Sequence, residues 1–310
     1  MMHIDHLSVP LQQIQDPLIA DFGVTLFIKR EDLIHPQISG NKWWKLKYNL
    51  IKAKELKYDT LLTFGGAYSN HILATAFAGK EYGFKTIGII RGEEHSELND
   101  TLKLATKYGM QLSYIDRTRY REKDHLQFID QLKEKFGSFY LLPEGGSNEL
   151  AVKGCMEIME DVNLEYDYIC CACGTGATLA GLILGVPISK KIIGFSSLKG
   201  GQFLEKKIEK YLDIFDRKTN FEIKKNWEVN PDYHFGGYAK TTKEFFDFIH
   251  SFTDRTNIPL DYIYTGKMMF GIYRLIANRF FKKGDRIIVI HTGGLQGNAG
   301  MRGKVWSSSN

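Results

Sequence analysis

Several segments of the sequence carry a short run of mostly apolar residues and then end in glycine, as in TLLTFGG, KTIGIIRG, YICCACGTG and IIVIHTGG. A strand with one solvated face alternates apolar and polar residues, whereas a strand covered by helices on both faces is apolar throughout. Amphipathic stretches such as NHILATAFAGKEYG and LNDTLKLATKYG separate these segments. The pattern predicts an α/β fold with open, largely parallel, twisted sheets that are covered by helices.

Eight strands are predicted in this way: TLFIKR, TLLTFGG, KTIGIIRG, QLSYID, FYLLPEGG, YDYICCACGTG, KKIIGFSS and DRIIVIHTGG. The chain has 310 residues, enough for about two domains. Ligands of such sheets bind beyond the carboxyl ends of the strands, which is where the glycines cluster here. The segment from Asp213 to Asn230 has no regular pattern, and we expect it to be irregular.

Composition narrows the classes of function. The net charge of +5 suits small anionic ligands, and no arginine-rich block indicates nucleic acid. No apolar run reaches the roughly 18 residues of a membrane span. The first residues also lack the pattern of a secretion signal. We therefore expect a cytoplasmic protein that binds neither nucleic acid nor membranes.

Three of the four cysteines lie in one predicted strand. Alternation along that strand places Cys171 and Cys173 on one face and Cys170 on the other, with Cys155 elsewhere in the chain. The spacing fits neither a zinc site nor a disulfide framework. We expect reduced core residues and no metal site.

The segment CGTGATLAGL turns from a strand into a helix that is predicted to begin at Ala177. Gly174 and Gly176 permit a tight turn, and Thr175 and Thr178 offer hydroxyl donors. Free backbone N–H groups and the helix dipole favour a phosphate at such a position. The lysine of a nucleotide P-loop is missing, and a leucine replaces the third glycine of a dinucleotide fingerprint. A phosphate loop of another kind, or a glycine-rich turn without a ligand, stays open.

A second strand–loop–helix segment, FGGAYSNHILATAFAG, carries Ser69, Asn70 and His71 at the predicted helix start. This position suits a carboxylate or phosphate oxygen, although Asn70 could serve only as an N-cap. A Ser-His-Asp triad is disfavoured, because the GxSxG pattern is missing and no carboxylate is placed to orient His71. Tyr238, Tyr264 and Thr292 also lie near glycines, where each alone is compatible with a structural role.

Taken in order, the motifs resemble those of the 1-aminocyclopropane-1-carboxylate deaminase / D-cysteine desulfhydrase family: KREDL, SGNKWWKL, GGAYSNH, PEGGSN, CGTGATLAGL, YTGKMMFG and HTGG. The resemblance runs from about Phe27 to Gly300. It implies the tryptophan synthase β-like fold (fold type II), the cofactor pyridoxal 5′-phosphate (PLP) and a homodimer. We expect a large PLP-binding domain, residues 1–50 plus 155–310, and a smaller inserted domain, residues 51–154.

The resemblance implies cofactor-binding roles for individual residues. Lys42 matches the lysine that forms the Schiff base with PLP, and Asn70 matches the asparagine that bonds the ring hydroxyl. Thr292 lies near the expected position of the pyridine nitrogen. The phosphate loop corresponds to Gly174, Thr175, Gly176, Ala177 and Thr178.

The resemblance also implies substrate-binding and catalytic roles. Ser69, Asn70 and His71 match the site that holds the substrate carboxylate, and Ser69 is in addition a candidate catalytic hydroxyl. Tyr238 and Tyr264 match two active-site tyrosines. With Lys42, which would take the α-proton, these residues form the predicted catalytic set.

Two activities of the family stay open. The deaminase pattern places a glutamate after the tyrosine, whereas here Thr265 follows Tyr264, which is similar to the desulfhydrase pattern. The resemblance therefore favours β-elimination from D-cysteine, which gives pyruvate, ammonia and sulfide. Ring opening of 1-aminocyclopropane-1-carboxylate to 2-oxobutanoate and ammonia is the alternative. A non-catalytic protein that binds a phosphate ligand is a second alternative. A nicotinamide-dependent oxidoreductase is disfavoured, because the dinucleotide fingerprint is incomplete.

Some positions depart from the family pattern, namely Trp43, Trp44, Tyr68 and Leu73. These residues are either paired packing changes or the basis of an altered substrate specificity. Lys45 and Lys47, which follow Lys42 closely, are expected to be ordinary surface residues.

Overall fold

The computed structural model describes residues 8–94, 96–219 and 226–301, which form two sheets surrounded by helices. The strands are β1 (Leu11–Gln13), β2 (Thr25–Lys29), β3 (Thr60–Gly66), β4 (Lys85–Arg91), β5 (Met110–Ile115), β6 (Tyr140–Leu142), β7 (Tyr168–Cys173), β8 (Lys191–Ser196), β9 (Trp227–Asn230) and β10 (Arg286–Ile290).

The α-helices are α1 (Pro17–Ala20), α2 (Asn41–Glu55), α3 (Asn70–Tyr82), α4 (Asp100–Lys107), α5 (Leu126–Phe136), α6 (Glu149–Met156), α7 (Ala177–Gly185), α8 (Phe203–Thr219), α9 (Lys243–Thr256) and α10 (Thr265–Ala277). Short 3-10 helices cover Glu31–Leu33, Arg119–Glu122, Glu144–Gly146, Glu157–Met159 and Leu295–Met301. Within the described ranges, no helix combines the length and apolarity that crossing a membrane requires.

Parallel pairing dominates both sheets, which confirms the predicted α/β fold. The larger sheet has the order β1-β2-β10-β7-β8-β9, and β1 is antiparallel to β2. The smaller sheet has the order β5-β4-β3-β6 and is parallel throughout. Its strands lie between Thr60 and Leu142, inside the segment predicted to form an inserted domain. The domain boundaries themselves stay a prediction.

The eight predicted strands correspond to β2–β8 and β10. The prediction missed β1 and β9, which are the edge strands of the larger sheet. The expected irregularity from Asp213 to Asn230 is wrong where the chain is described, because α8 continues to Thr219 and β9 begins at Trp227. Residues 220–225 of that segment lie outside the described residues. An edge strand such as β9 buries little on its outer side, so it carries no continuous apolar run.

The faces of β7 are as predicted. Cys171 and Cys173 belong to one apolar cluster, whereas Cys170 belongs to the cluster on the other side of the sheet. All four cysteines are buried and free of disulfides. Strands β7 and β10 are neighbours in the middle of the larger sheet, so the glycine-rich loops that follow them lie side by side.

Helix α2 packs two tryptophans into the core, with the rings of Trp43 and Trp44 in edge contact at 4.9 Å between centroids. The indole nitrogen of Trp44 donates to Glu31 Oε2 at 2.7 Å. Lys29 Nζ lies 3.2 Å from the other oxygen of Glu31 and 2.7 Å from Asp161. Burial raises the pKa of Glu31, so this carboxylate depends on its donors to remain ionised.

Replacing Trp44 with Phe should therefore destabilise the protein. Trp44→Phe keeps most of the apolar contact but removes one donor from a buried carboxylate, a loss of about 1–3 kcal/mol. Urea denaturation should show that decrease in the free energy of unfolding. Glu31→Gln provides the matched background, in which the cost of W44F should be smaller. An equal cost in both backgrounds would show that the volume of the indole, and not its N–H, stabilises this region.

Candidate active site

A cavity of about 470 Å³ opens at the carboxyl ends of strands from both sheets. Its lining combines the loops after β3, β7 and β10 with the first turn of α2. The predicted site residues that line it are Lys42, Ser69, Asn70, His71, Gly174, Thr175, Gly176, Thr178, Tyr238, Tyr264 and Thr292. Ala177, the first residue of α7, is buried and does not line the cavity. The structure thus gathers residues that are spread over 250 positions of the sequence.

A tight turn aims Lys42 into this cavity. Gly40 has φ 66° and ψ −147°, and a Cβ atom there would lie 2.0 Å from the carbonyl oxygen of Thr292, so only glycine fits. Lys42 Nζ donates to Asn41 Oδ1 at 2.9 Å. Asn41 Nδ2 donates in turn to Thr178 Oγ1 at 2.9 Å. These two hydrogen bonds tie the lysine to the loop after β7.

Lys45 is buried, and its expected place on the surface was wrong. Its side chain lies three residues after Lys42 and therefore on the same face of α2. The Nζ atom donates to Gly145 O at 3.2 Å, Ser147 Oγ at 3.0 Å and Thr175 Oγ1 at 3.1 Å. Spacing from Lys42 was the signal that could have identified it. Lys47 is half-buried and pairs with Glu157.

The two amines set the electrostatics of the cavity. Burial, followed by the charge of Lys45, lowers the pKa of Lys42 to about 7. Burial also lowers the pKa of Lys45. A large fraction of Lys42 is consequently a neutral amine near pH 7, which is the nucleophilic and basic form. A positive charge remains beside the loop Gly174–Thr178, where an anion would be stabilised.

His71 is neutral and has a defined tautomer. Burial and the charges of Lys42 and Lys45 hold its pKa well below the ordinary value. Thr63 donates its hydroxyl proton to Leu142 O at 2.9 Å, so His71 Nε2–H donates to Thr63 Oγ1, also at 2.9 Å. The Nδ1 atom is then an acceptor and has no partner among the described residues. The predicted contact of His71 with a carboxylate can therefore come only from its backbone N–H.

The sequence left open whether Asn70 serves only as an N-cap, and the structure gives that role to Ser69. Ser69 is the N-cap of α3 and accepts from Ile72 N at 3.4 Å, so its hydroxyl proton is free to be donated elsewhere. Asn70 Oδ1 is buried and accepts no hydrogen bond within the described part of the chain. An unpaired buried carbonyl oxygen is costly, and a ligand hydroxyl would satisfy it.

Two tyrosines form the opposite rim. The rings of Tyr238 and Tyr264 lie in edge contact, with 6.1 Å between their centroids. Burial raises the pKa of both hydroxyls. Thr265 does not line the cavity, because its hydroxyl donates to Asp261 Oδ2 at 2.5 Å.

The departures from the family pattern separate into two groups. Trp43, Trp44 and Leu73 are buried and do not line the cavity, so they are packing changes. Tyr68 lines the cavity and is 44% exposed. A Cβ atom at Gly300 would lie 2.8 Å from the ring of Tyr68, so the glycine makes room for the aromatic side chain.

Arg91 and Glu144 also line the cavity and were missed in the sequence. The guanidinium of Arg91 lies 5.5 Å from the ring centroid of Tyr120, whose hydroxyl donates to Glu144 Oε1 at 2.9 Å. Arg91 is the last residue of β4, so the argument from strand ends would have found it.

Known proteins are similar to this chain in both sequence and fold. The family model described as "Pyridoxal-phosphate dependent enzyme" matches residues 9–293. A Pyrococcus furiosus protein, provisionally named 1-aminocyclopropane-1-carboxylate deaminase, is 32% identical over 292 residues, which cover 89% of this chain and 86% of that protein. An Arabidopsis thaliana protein, named bifunctional D-cysteine desulfhydrase/1-aminocyclopropane-1-carboxylate deaminase, mitochondrial, is 30% identical over 94% of this chain and 77% of its own length.

A solved structure agrees with these matches. The structure described as "the ACC deaminase homologue" superposes with a TM-score of 0.86 and 29% identity. It covers 97% of this chain and 94% of its own. The similarity therefore extends over both sheets and not only over the motifs around the cavity.

The pKa of Lys42 can be tested by chemical labelling. In the ligand-free folded protein, an amine-reactive sulfonate should modify the Lys42 peptide with a rate that rises through pH 7, because only the neutral amine reacts. The same peptide in concentrated urea should show its rise near the ordinary lysine value of about 10.4. Mass spectrometry of the digest gives both profiles. A folded-state midpoint near that of the unfolded chain would contradict the electrostatics described here.

Proposed function

Because the chain belongs to the pyridoxal-phosphate-dependent enzyme family, we propose that its cavity binds PLP and eliminates a thiol from D-cysteine or a related small amino acid. The products would be pyruvate, ammonia and sulfide. The observation that carries the proposal is the position of Lys42, a partly neutral amine tied by Asn41 to the loop after β7. A protein that only binds a phosphate ligand would need no such amine, which argues against the non-catalytic alternative.

The residues around the cavity fit PLP. Asn70 Oδ1, which is buried and unpaired among the described residues, would accept from the ring hydroxyl. The backbone N–H groups of Gly174–Thr178 and the ammonium of Lys45 would hold the phosphate. Thr292 would face the ring nitrogen, and Lys42 would hold the cofactor covalently. When bound, PLP supplies an electron sink for negative charge at the α-carbon of the substrate.

The remaining residues would bind the substrate and move its protons. The free hydroxyl proton of Ser69, the side-chain amide of Asn70 and the backbone N–H of His71 would hold the carboxylate at the start of α3. Lys42 would take the α-proton, since its lowered pKa leaves a neutral amine near pH 7. Tyr238 lines the cavity and would donate its hydroxyl proton to the leaving sulfur.

Ring opening of 1-aminocyclopropane-1-carboxylate is the second candidate. It is supported by the Arabidopsis relative, whose name carries both activities. The elimination reaction is placed first because Thr265 stands where the deaminase pattern has a glutamate, and Thr265 already donates to Asp261. The homodimer, the cytoplasmic location and the division into residues 1–50 plus 155–310 and 51–154 stay predictions.

Lys45 should contribute to PLP binding and Lys47 should not. Lys45→Met removes the buried ammonium beside the phosphate loop, so the dissociation constant of PLP should rise by about tenfold or more. Lys47→Met is the matched control, because that side chain lies on the same helix and pairs with Glu157. Titration of the cofactor-free proteins by absorbance compares the variants. Equal affinities of K45M and the unsubstituted protein would contradict the proposed phosphate site.

The activity itself has a two-part test. The purified protein should be yellow, and borohydride should fix the cofactor to the peptide that contains Lys42, whereas Lys42→Ala should remain unlabelled. D-cysteine should then release sulfide with pyruvate. Formation of 2-oxobutanoate from the cyclopropane amino acid without sulfide from D-cysteine would favour the second candidate. A colourless protein that stays unlabelled after addition of PLP would refute both.

A further inference from the structure

The proposed function leaves one buried charge unexplained. Lys267, in the first turn of α10, is 1% exposed. Its Nζ atom donates to the carbonyl oxygens of His234 at 2.9 Å and Gly237 at 2.7 Å. No carboxylate lies within ion-pair distance of this ammonium in the described ranges. The partners of Lys267 therefore belong to one loop, His234–Tyr238, whose last residue lines the cavity.

Burying an ammonium without a paired carboxylate is unfavourable. Burial lowers the pKa of Lys267 to about 8, and the negative charge of Asp261 only partly opposes that change. A methionine would fill similar space without this cost. An apolar side chain could not donate to the two carbonyl oxygens. These two hydrogen bonds are therefore the gain that offsets the cost of burying the ammonium.

The loop held by Lys267 has a strained backbone. Phe235 has φ 54° and Ala239 has φ 53°, in a region that side chains with a Cβ atom rarely adopt. The amide of Gly237 donates to His234 O at 3.0 Å, and the amide of Lys240 donates to Gly237 O at 3.1 Å. The carbonyl groups of His234 and Gly237, which close these turns, are the same two that accept from Lys267. The lysine therefore stabilises the turns next to their strained residues.

The same helical turn positions both tyrosines. Tyr264 is the N-cap residue of α10, and Lys267 follows three residues later on the same face. Lys267 thus connects the end of the helix that carries Tyr264 to the loop that carries Tyr238. The edge contact between the two rings, 6.1 Å between centroids, requires that loop to stay in place.

We propose that Lys267 is a positioning residue, which holds the His234–Tyr238 loop so that the Tyr238 hydroxyl stays at the cavity rim beside Tyr264. The role of this loop in turnover rests on the proposed function. The restraint of the loop by Lys267 does not, because it follows from the contacts of the protein alone.

Amide hydrogen exchange tests the restraint without any activity. In both cofactor-free and PLP-loaded protein, Lys267→Met should accelerate exchange at the amides of Gly237 and Lys240 by about tenfold or more, because opening of the loop becomes easier. Tyr238→Phe should not accelerate it. Unchanged exchange in K267M would overturn the proposal, whether or not the enzyme acts on D-cysteine. If K267M does not fold, Lys267→Gln takes its place in the same comparison.

A double-mutant cycle tests the link to turnover. K267M should lower kcat for D-cysteine by about tenfold, but by less than about twofold in the Y238F background, where no hydroxyl remains to be positioned. Lys29→Met is the matched control, since Lys29 is equally buried but pairs with Glu31 and Asp161 on another part of the fold. Its effect should be additive with Y238F. Additive effects of K267M and Y238F would show a merely structural role and overturn the proposal.

Discussion

Two amines buried one helical turn apart dominate the chemistry of this protein. Lys42 and Lys45 lie on the same face of α2, and each makes the charge on the other less favourable. Burial, followed by the charge of Lys45, lowers the pKa of Lys42 to about 7, and burial, followed by the charges of both lysines, keeps the ring of His71 neutral. Placing two amines this close in a buried site costs free energy as long as no anion lies in the cavity. Under the proposed function, the phosphate of the cofactor would lie beside Lys45 and would compensate this cost.

The rest of α2 is organised around that face. Asn49 continues the polar stripe after Lys45, donating to Asn148 Oδ1 at 3.1 Å, and Asn148 is the N-cap of α6. On another face, Trp44 donates to Glu31, whose charge Lys29 balances. The helix thus separates a polar stripe, whose residues Lys42 and Lys45 line the cavity, from an aromatic surface that belongs to the core. Its direction is fixed at the start by Gly40, which the carbonyl of Thr292 leaves no room to replace.

Patterns that depend on neighbours in the sequence predicted much of this molecule. The apolar runs identified the inner strands, alternation assigned Cys170 and Cys171 to opposite faces, and α7 begins at Ala177 as predicted. Lys45 was misplaced because a lysine is normally solvated, whereas this ammonium is buried and donates to three oxygens from distant parts of the chain. The tautomer of His71 depends on the bond from Thr63 to Leu142, which lie 79 residues apart. Such long-range contacts leave no local pattern, so the structure was needed to find them.

Trp43 and Trp44, which depart from the family pattern next to Lys42, belong to the core and not to the cavity lining. Trp44 donates to Glu31, and Lys29 lies beside the same carboxylate. Tyr68 is different, because it lines the first cavity and also a second one of about 1000 Å³, as does Arg91. The two cavities therefore meet at Tyr68 and Arg91, whereas Trp43 and Trp44 line neither of them.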